Sequence, residues 1–280
     1  PLPEGVRLVA EDLSTPAAAA AVRGFRAHAA LHLAAQGGVS RSVRDPVGDA
    51  TANVVATVSL LKACLDAGTG RVVFASSGGA VYGHAARLPT PESCPARPLS
   101  PYGAAKLACE GYLGMFDRTF GLRTVALRFG NVYGPHQDGT GEAGVVAITC
   151  HRLLSDEPPL VRGDGEQTRD FVHVADVVRA IQASLGSDVT GPFNIGAGVQ
   201  ATVNRVVGLL AEAAGSRAPA VRVEAPGGEV REAQLDVGRA AAELGWRPTI
   251  GFEEGMAATF ESFAREVRPA VAAGRGGRFG

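Results

Sequence analysis

Short apolar segments alternate with longer helical segments along the first half of this chain, and this alternation limits the possible folds strongly. Segments 6–10, 29–33, 71–75 and 124–129 are mainly apolar, and the stretches between them are long enough for helices. Strands that are apolar on both faces are typical of a parallel sheet, because helices then cover both faces. We therefore predict an α/β fold built on a doubly wound parallel sheet.

The predicted helices have recognisable ends. Thr15 followed by Pro16 is typical of a helix start, since a hydroxyl caps the first turn and proline suits its first position. A second helix is predicted over 53–67, where Gly68 would end it. A third is predicted over 102–120.

Composition narrows the range of partners. The chain has 280 residues, 46% of them hydrophobic, and a formal net charge of −1. This balance of charge argues against nucleic acid or an anionic membrane as the main partner. No apolar run approaches the roughly 20 residues that span a bilayer, and the first residues lack the regions of a signal peptide. We therefore expect a cytoplasmic protein.

The cysteines give no sign of a metal site. Four are present and widely spaced, without a CxxC pair: Cys64, Cys94, Cys109 and Cys150. A chain of this size does not need disulfides for stability, so we expect buried, reduced thiols and no bound metal.

Polar or small residues follow three of the predicted strands. Asp12 follows the first, Ala34 and Ala35 follow the second, and Ser76 and Ser77 follow the third. Each has a structural alternative, as a cap, a tight turn or a loop hydrogen bond. Because ligands bind beyond the carboxyl ends of parallel strands, their succession at one edge favours a binding site.

Tyr102 and Lys106 are four residues apart on the third predicted helix, so they share one face. A nearby ammonium lowers the pKa of a phenol from its usual value of about 10 and makes it a usable general base. Taken alone, the spacing favours a solvated pair on an ordinary helix, because many helices contain it by chance.

The motifs around this pair resemble those of a known family. Segments 74–83, 100–106, 127–135, 163–176 and 244–248 read FASSGGAVYG, SPYGAAK, LRFGNVYGP, GDGEQTRDFVHVAD and LGWRP. In this order they resemble the extended short-chain dehydrogenase/reductase family, in its sugar-nucleotide branch. Within that branch the chain is most similar to bacterial UDP-glucose 4-epimerases.

The resemblance implies a Rossmann-type sheet with a smaller α/β substrate-binding domain, NAD as cofactor and a UDP-sugar as substrate. Tyr102 would take the proton from the sugar 4-hydroxyl, Ser77 would hydrogen-bond the same oxygen, and Lys106 would hold the nicotinamide ribose. Hydride would pass from C4 to NAD and return to the other face of a 4-keto sugar. The reaction would be epimerisation at C4.

Binding residues also transfer by position. The resemblance implies these cofactor contacts besides Tyr102 and Lys106: Asp12, Leu13, Leu33, Ala34, Ala35, Asn53, Ala75, Ser76 and Phe129. It implies these substrate contacts: Ser77, Tyr102, Asn131, Val145, Val146, Arg169 and Arg231. Helix capping is the alternative for Asn53, and an ion pair with Asp170 is the alternative for Arg169.

The resemblance further implies a division into two domains. Residues 1–131 would form the dinucleotide-binding domain, to which 169–196 partly returns. Residues 132–168 and 197–280 would bind the substrate. Within the latter, segment 196–201 fits GxGxxA, but a single helix follows it, and Thr202 as the cap of helix 203–214 explains the pattern better than a second nucleotide site.

The sequence also departs from the family. Members begin with a strand, a GxxGxxG turn, a helix and a second strand, which place the cofactor pyrophosphate on a helix N-terminus. No stretch here supplies that turn. The resemblance therefore implies a shortened copy, and we expect this polypeptide to bind NAD weakly or not at all. We also expect disorder over 274–280.

Two further departures bear on the nucleotide. Ala225 and Pro226 stand where the family usually has an arginine, which Arg231 would replace, and Arg162 stands where an aromatic or apolar residue is common.

Three other functions remain open. A nucleotide-sugar 4,6-dehydratase would need an acidic pair after the serine, where this chain has Gly78 and Gly79. A related reductase or decarboxylase shares the same motifs. A non-catalytic sugar-nucleotide-binding polypeptide is the alternative of another class.

The resemblance also implies a homodimer formed through helices 53–67 and 102–120.

Overall fold

The computed structural model describes residues 4–139, 144–224 and 230–274. Its strands are β1 (Ala29–His32), β2 (Arg71–Ser77), β3 (Arg123–Phe129), β4 (Asn131–Tyr133), β5 (Leu160–Arg162), β6 (Thr168–Arg169), β7 (Phe171–His173), β8 (Gly191–Ile195), β9 (Ala201–Thr202) and β10 (Val221–Val223). Its helices are α1 (Pro16–Phe25), α2 (Val39–Arg44), α3 (Pro46–Ala50), α4 (Ala56–Ala67), α5 (Gly78–Val81), α6 (Pro101–Phe120), α7 (Val145–Leu154), α8 (Val174–Leu185), α9 (Val203–Ala214), α10 (Gly238–Glu243) and α11 (Phe252–Gly274), with a π-helical turn, Thr51–Val55, between α3 and α4.

A four-stranded parallel sheet in the order β1-β2-β3-β8 forms the centre of the fold. Its register places Phe74 of β2 beside His32 of β1 and Ala126 of β3. Successive side chains of a strand point to opposite faces, so each strand contributes to two cores. The predicted parallel sheet and Rossmann-type α/β fold are therefore confirmed.

Helices cover both faces of this sheet. On one face, α4 and α6 pack against β2 and β3 through side chains that include Leu61, Phe74 and Leu113. On the other face, α8 and α10 pack against the same strands through Val73, Leu127, Ile181 and Ala240. Apolar burial on both faces explains why the central residues of these strands, 72–75 in β2 and 125–127 in β3, are all apolar.

Segment 6–10 does not form the predicted strand. Its residues are exposed and have no strand assignment, and Val6 and Leu8 are 51% and 71% exposed. A strand needs a hydrogen-bonded neighbour, and β1 pairs with β2 alone among the described residues. Strand propensity without such a partner did not produce a strand.

The predicted helix over 53–67 begins earlier than expected. Helical structure runs continuously from Pro46 to Ala67 through the π turn, and Gly68 ends it in the left-handed conformation with φ of 74°. By length and composition alone this segment could cross a membrane, so the prediction that no such run exists was wrong. Its residues Asp49 and Asn53 are buried and hydrogen-bonded, and Leu60 and Leu61 join the core, as in a core helix.

A second group of elements follows the sheet. Helices α7, α9 and α11 share an apolar core with β4 and β7, including Tyr133, Val146 and Phe171. Residues 196–200 form a loop that leads through the short strand β9 into α9. The Thr202 hydroxyl accepts from the Arg205 N–H at 3.1 Å. The predicted helix cap at Thr202 is therefore confirmed. Disorder was predicted over 274–280. The residues after Gly274 lie outside the described part of the chain.

Candidate active site at the carboxyl edge of the sheet

The first turn of α6 places Tyr102. The Ser100 hydroxyl accepts from the Gly103 N–H at 3.1 Å, and Pro101 occupies the first helical position. Gly103 lies so close to α5 that a Cβ there would stand 2.5 Å from the carbonyl oxygen of Ala80. The cap and this close approach together fix the start of the helix beside the end of β2.

Ser77, Tyr102 and Lys106 come together at the carboxyl ends of β1 and β2. Ser77 is the last residue of β2, and its hydroxyl lies close enough to the Tyr102 phenol to lower that group's pKa. The Lys106 ammonium is 3% exposed, donates to the Ala75 carbonyl at 2.8 Å and lies 5.6 Å from the centre of the Tyr102 ring. The structure therefore joins the three residues that the sequence singled out for proton transfer.

The ionisation of Tyr102 differs from the sequence expectation. Burial raises the pKa of Tyr102 above its usual value of 10, the charge of Asp49 raises it further, and the hydrogen bond from Ser77 acts in the opposite direction. Burial also lowers the pKa of Lys106 to about 8. The expected lowering of the phenol pKa is wrong for the chain by itself, because loss of solvation has the largest effect on this group.

Asn53 lies inside the π turn rather than at a helix start, so the capping alternative was wrong. Its side-chain oxygen accepts from the Gln36 N–H at 2.9 Å, and its amide nitrogen donates to the Gln36 carbonyl at 3.1 Å and to Asp49 at 3.0 Å. The Asn53 side chain thereby holds the loop that follows β1 against the helix. π turns occur often at functional sites.

Beneath the site lies a buried polar network that the sequence analysis missed. Glu110 of α6 forms a buried ion pair with Arg128 at 2.6 Å and accepts from the Ser76 hydroxyl at 2.6 Å. Arg128 also donates to the Tyr82 hydroxyl, which donates to Asn194 at 2.8 Å. Glu110 follows Lys106 by four residues, and that spacing on one helix face was the available signal.

The residues predicted to contact the cofactor lie at the ends of β1, β2 and β3. Leu33, Ala34 and Ala35 follow β1 and are exposed, Ala75 and Phe129 are half-buried, and Ser76 is engaged by Glu110. Asp12 is fully exposed and accepts from the backbone and hydroxyl groups of Ser14, and these bonds lower its pKa. Leu13 beside it is half-buried.

These residues fit a dinucleotide. An ammonium has three donors, and among the described residues Lys106 uses one, for the Ala75 carbonyl. The remaining N–H groups suit ribose hydroxyls. Ala34 and Ala35 offer a short, open surface at the carboxyl edge, where a flat ligand can approach the backbone.

Among the residues predicted to contact the substrate, Asn131 lies near Ser77, with Gly79 beside both. A Cβ on Gly79 would stand 3.6 Å from the Asn131 side-chain oxygen and 4.0 Å from the Ser77 hydroxyl, so these two groups flank the same glycine. Beside it, Gly78, Gly79, Ala233 and Leu235 line part of a small recess that is open to solvent. This recess lies next to the proton-transfer group.

Strand pairing brings Asn131, Arg169 and Arg231 into one region. The Asn131 N–H donates to the Asp170 carbonyl at 2.7 Å, and the Thr168 N–H donates to the Arg231 carbonyl at 2.9 Å. Arg231 is exposed and pairs with both carboxylate oxygens of Asp164, at 2.8 and 2.7 Å, which lowers the pKa of Asp164 to about 2.

Asp170 is a buried clamp of this region. Its carboxylate accepts from the backbone N–H groups of Ala197, Gly198 and Leu235 at 2.6, 3.1 and 3.0 Å. Burial raises its pKa to about 6, while the three N–H groups act in the opposite direction. The adjacent Arg169 is half-buried and donates to the Thr168 carbonyl at 2.8 Å.

Val145 and Val146, which were both predicted to contact the substrate, differ in solvent exposure. Val145 begins α7 and is half-buried, whereas Val146 is 2% exposed and belongs to the core of α7, α9 and α11. Val146 can therefore meet a ligand only through its backbone. Arg162 is exposed on β5, and the departures at Ala225 and Pro226 lie outside the described residues.

The described residues contain no group of three or more histidine, cysteine, aspartate or glutamate side chains able to hold a metal ion. The four cysteines are free, and three of them, Cys64, Cys109 and Cys150, are buried.

Comparison with known proteins agrees with this geometry. Residues 2–196 match the NAD dependent epimerase/dehydratase family. A UDP-glucose 4-epimerase from Mycolicibacterium smegmatis is 43% identical over 240 residues, covering 85% of this chain and 77% of the relative. A dTDP-glucose 4,6-dehydratase from Actinoplanes sp. is 34% identical over 232 residues, covering 81% of this chain and 71% of that protein.

Two solved structures are similar throughout. The UDP-glucose 4-epimerase of Thermotoga maritima with UDP-glucose superposes with a TM-score of 0.92 at 39% identity, covering 95% of this chain and 87% of that chain. The UDP-glucose 4-epimerase of Thermus thermophilus in complex with NAD gives a TM-score of 0.89 at 40% identity, covering 94% and 86%. Since sequence, fold and relatives agree, this chain belongs to the NAD dependent epimerase/dehydratase family, whose cofactor is NAD.

Proposed function

We propose that this protein catalyses NAD-dependent epimerisation of a UDP-sugar at C4, of the UDP-glucose/UDP-galactose type. The observation that carries the proposal is the contact of Ser77 with Tyr102, beside the buried ammonium of Lys106, at the carboxyl edge of a Rossmann-type sheet. The two similar solved structures and the relative from Mycolicibacterium smegmatis, all UDP-glucose 4-epimerases, support the substrate class.

In this proposal Tyr102 exchanges a proton with the 4-hydroxyl oxygen of the sugar. Ser77 donates to the same sugar oxygen and stabilises the negative charge that develops there. NAD, when bound, supplies a positively charged ring that accepts and returns a hydride. Because burial raises the pKa of Tyr102 in the chain by itself, the charge of Lys106 is needed to stabilise the phenolate.

The nucleotide half of the substrate would lie along β4, β6 and α7. Arg169 and Arg231 suit a diphosphate, because a guanidinium binds such oxygens with two donors. Arg231 would exchange Asp164 for the diphosphate. Asn131 and the backbone of Val145 and Val146, at the start of α7, complete the proposed contacts.

A nucleotide-sugar 4,6-dehydratase is the second candidate, and a relative with that name supports it. Elimination of water needs an acid beside the sugar, and Gly78 and Gly79 follow Ser77 here. We therefore rank the dehydratase, and likewise a reductase or decarboxylase, below the epimerase. A sugar-nucleotide-binding protein without catalysis is the candidate of another class.

Three further parts of the proposal rest on the resemblance. We propose 1–131 with 169–196 as the cofactor domain and 132–168 with 197–280 as the substrate domain, which the separate cores of sheet and α7–α9–α11 support. We propose a homodimer through α4 and α6. A cytoplasmic location stays a prediction.

The test is an assay of UDP-glucose and UDP-galactose interconversion with added NAD. We expect activity when the N-terminal GxxGxxG unit of the family is restored and little or none without it. In the restored protein, Tyr102→Phe should lose about 10²–10⁴-fold, because it removes the proton-transfer group. Tyr112→Phe is the matched control, because Tyr112 is an exposed tyrosine on the same helix.

Three outcomes would contradict the epimerase assignment. Equal activity in Tyr102→Phe would exclude its role as the base. A 4-keto-6-deoxy sugar from dTDP-glucose would support the dehydratase, and binding of UDP-sugar without conversion would support the non-catalytic candidate.

A further inference from the structure

Asp49 is a buried carboxylate next to the proposed acid–base centre, and neither the sequence analysis nor the reaction assigns it a role. Its side chain is 0% exposed. One carboxylate oxygen accepts from the Asn53 amide at 3.0 Å, and the other is buried without a hydrogen-bond partner among the described residues. A buried carboxylate with one oxygen unpaired is costly unless a charge nearby compensates it.

The compensating charge is Lys106. Helix α3, which carries Asp49, packs against α6, and the carboxylate interacts electrostatically with the Lys106 ammonium. The Lys106 ammonium is itself buried, so attraction between the two groups is weakly screened. The same interaction lowers the pKa of Asp49 against the effect of burial, which raises it.

The surroundings of both groups are otherwise poor in charge. The titratable or charged groups that face Lys106 are Tyr102 and Cys109 on its own helix, His32 on β1 and Asp49 on α3. Those that face Asp49 are Asp45, the N-cap of its helix, and Tyr102 and Lys106 on α6. Arg41 and Arg44 on the neighbouring α2 are exposed. His32 is held neutral, because burial lowers its pKa to about 4.

We propose that Asp49 is a positioning residue of this site: its carboxylate keeps the Lys106 ammonium protonated and, through Asn53, fixes the loop after β1 on which the cofactor would rest. The link from Asp49 to the loop after β1 rests on the hydrogen bonds of Asn53. Asn53 spans from Asp49 to both backbone groups of Gln36, and Gln36 directly follows the exposed residues Ala34 and Ala35. One carboxylate thus links the proton-transfer pair to the cofactor loop.

This inference deepens the proposed function and rests on it for its catalytic meaning. Burial lowers the pKa of Lys106 to about 8, so a modest further fall would deprotonate the side chain near neutral pH. A neutral Lys106 could no longer stabilise the Tyr102 phenolate. The alkaline limb of the rate profile would then move to lower pH with Asp49 removed.

The sequence allows a direct measurement, because lysine occurs only at positions 62 and 106. Protein that carries ¹³C at the lysine Cε atoms gives two NMR signals, and the exposed Lys62 serves as an internal reference. We expect the Lys106 midpoint to fall by about one pH unit in Asp49→Asn, as for loss of an opposite charge nearby. The Lys62 midpoint should stay unchanged.

Matched variants make the result decisive. Asp66→Asn removes the exposed partner of Lys62 and should leave Lys106 unaffected. Asp49→Glu keeps the charge and should keep the wild-type midpoint of Lys106. Should Asp49→Asn fail to fold, Asp49→Ser is the second uncharged variant, in which the same fall is expected.

Equal Lys106 midpoints in the charged and uncharged variants would overturn the inference. The titration is measured on the resting protein and needs no catalytic turnover. Absence of enzyme activity would therefore contradict the proposed function but not the role of Asp49. In active protein, the alkaline limb of kcat should move in Asp49→Asn together with the Lys106 midpoint.

Discussion

Ionisable side chains at this site are governed by burial as much as by neighbouring charge. The pKa of Tyr102 is raised and that of Lys106 is lowered, both with loss of solvation as the largest cause. Each group is thereby moved away from its charged form. The side chains of Tyr102 and Lys106 are therefore already poorly solvated before the charges of cofactor and substrate act on them.

His32 shows the same effect and gives a test by stability. It is 5% exposed, forms a hydrogen bond with Thr57 at 2.9 Å, and burial lowers its pKa from 6.5 to about 4. The unfolded chain therefore binds a proton at higher pH than the folded one. Stability from this group is present above pH 6.5 and is lost as pH falls towards 4.

We expect wild-type protein to lose about 2 kcal/mol more stability than His32→Gln between pH 7 and pH 5, from urea unfolding at both values. Glutamine can retain the bond to Thr57 but carries no titrating proton. His28→Gln, at an exposed histidine, should behave as wild type. The same pH dependence in His32→Gln and wild type would refute this account.

At the scale of elements, α6 does most to shape the site. It carries Tyr102 and Lys106 towards the sheet edge and Glu110 into the network below. Its first turn lies against α5, which follows Ser77, and this contact depends on the missing side chain of Gly103. A Cβ there would stand 2.5 Å from the Ala80 oxygen and 3.0 Å from Pro98.

Two glycines of α6 should therefore respond in opposite ways to the same substitution. Gly103→Ala should destabilise the protein by about 1–3 kcal/mol, since backbone must move, and should lower kcat by displacing Tyr102. Gly111→Ala should stabilise it by about 0.5–1 kcal/mol, as alanine favours helix. No atom lies within 4 Å of the Cβ position at Gly111.

Urea unfolding of both variants measures these changes. A gain of stability in Gly103→Ala similar to that in Gly111→Ala would contradict this expectation. It would show that the first turn of α6 can move away from residues 78–81 at no cost.

For the molecule as a whole, the site forms where the central sheet meets the core of α7, α9 and α11. Asp170 holds this junction, because its carboxylate binds the 197–198 loop and Leu235 while its carbonyl binds Asn131. Leu235 in turn packs beside Gly78. Residues far apart in sequence are thus placed within one region by backbone hydrogen bonds.

The outer surface of α4 and α6 gives a prediction at this scale. Apolar side chains there remain exposed, with Tyr112 and Phe120 at 41% and 51%. If these helices form the proposed homodimer, light scattering should give twice the chain mass of 28.6 kDa. Tyr112→Arg should yield monomer, because burying an unpaired charge in an interface is costly.

Val178→Arg is the matched control, as Val178 is 46% exposed on α8, which covers the opposite face of the sheet. A wild-type mass equal to one chain at high protein concentration would exclude the dimer. Monomer formation in both variants would point to a different interface.

Local patterns predicted most elements of this fold correctly. Apolar runs identified β1, β2 and β3, and capping residues such as Thr15, Gly68 and Thr202 located helix ends. These features depend on neighbours in sequence, which is why periodicity and caps predict them. The strand predicted over 6–10 was wrong, because a strand also requires a partner strand, which local sequence does not specify.

The sequence alone determined the residue types of the site and their order along the strand ends, including Ser77, Tyr102 and Lys106. Only the tertiary structure decided their ionisation, the burial of Asp49 and the clamp made by Asp170. The physical reason is that solvation and electrostatic interaction depend on distances between elements remote in sequence. Helix spacing predicted that Tyr102 and Lys106 meet, but packing against the sheet raised the phenol's pKa instead of lowering it.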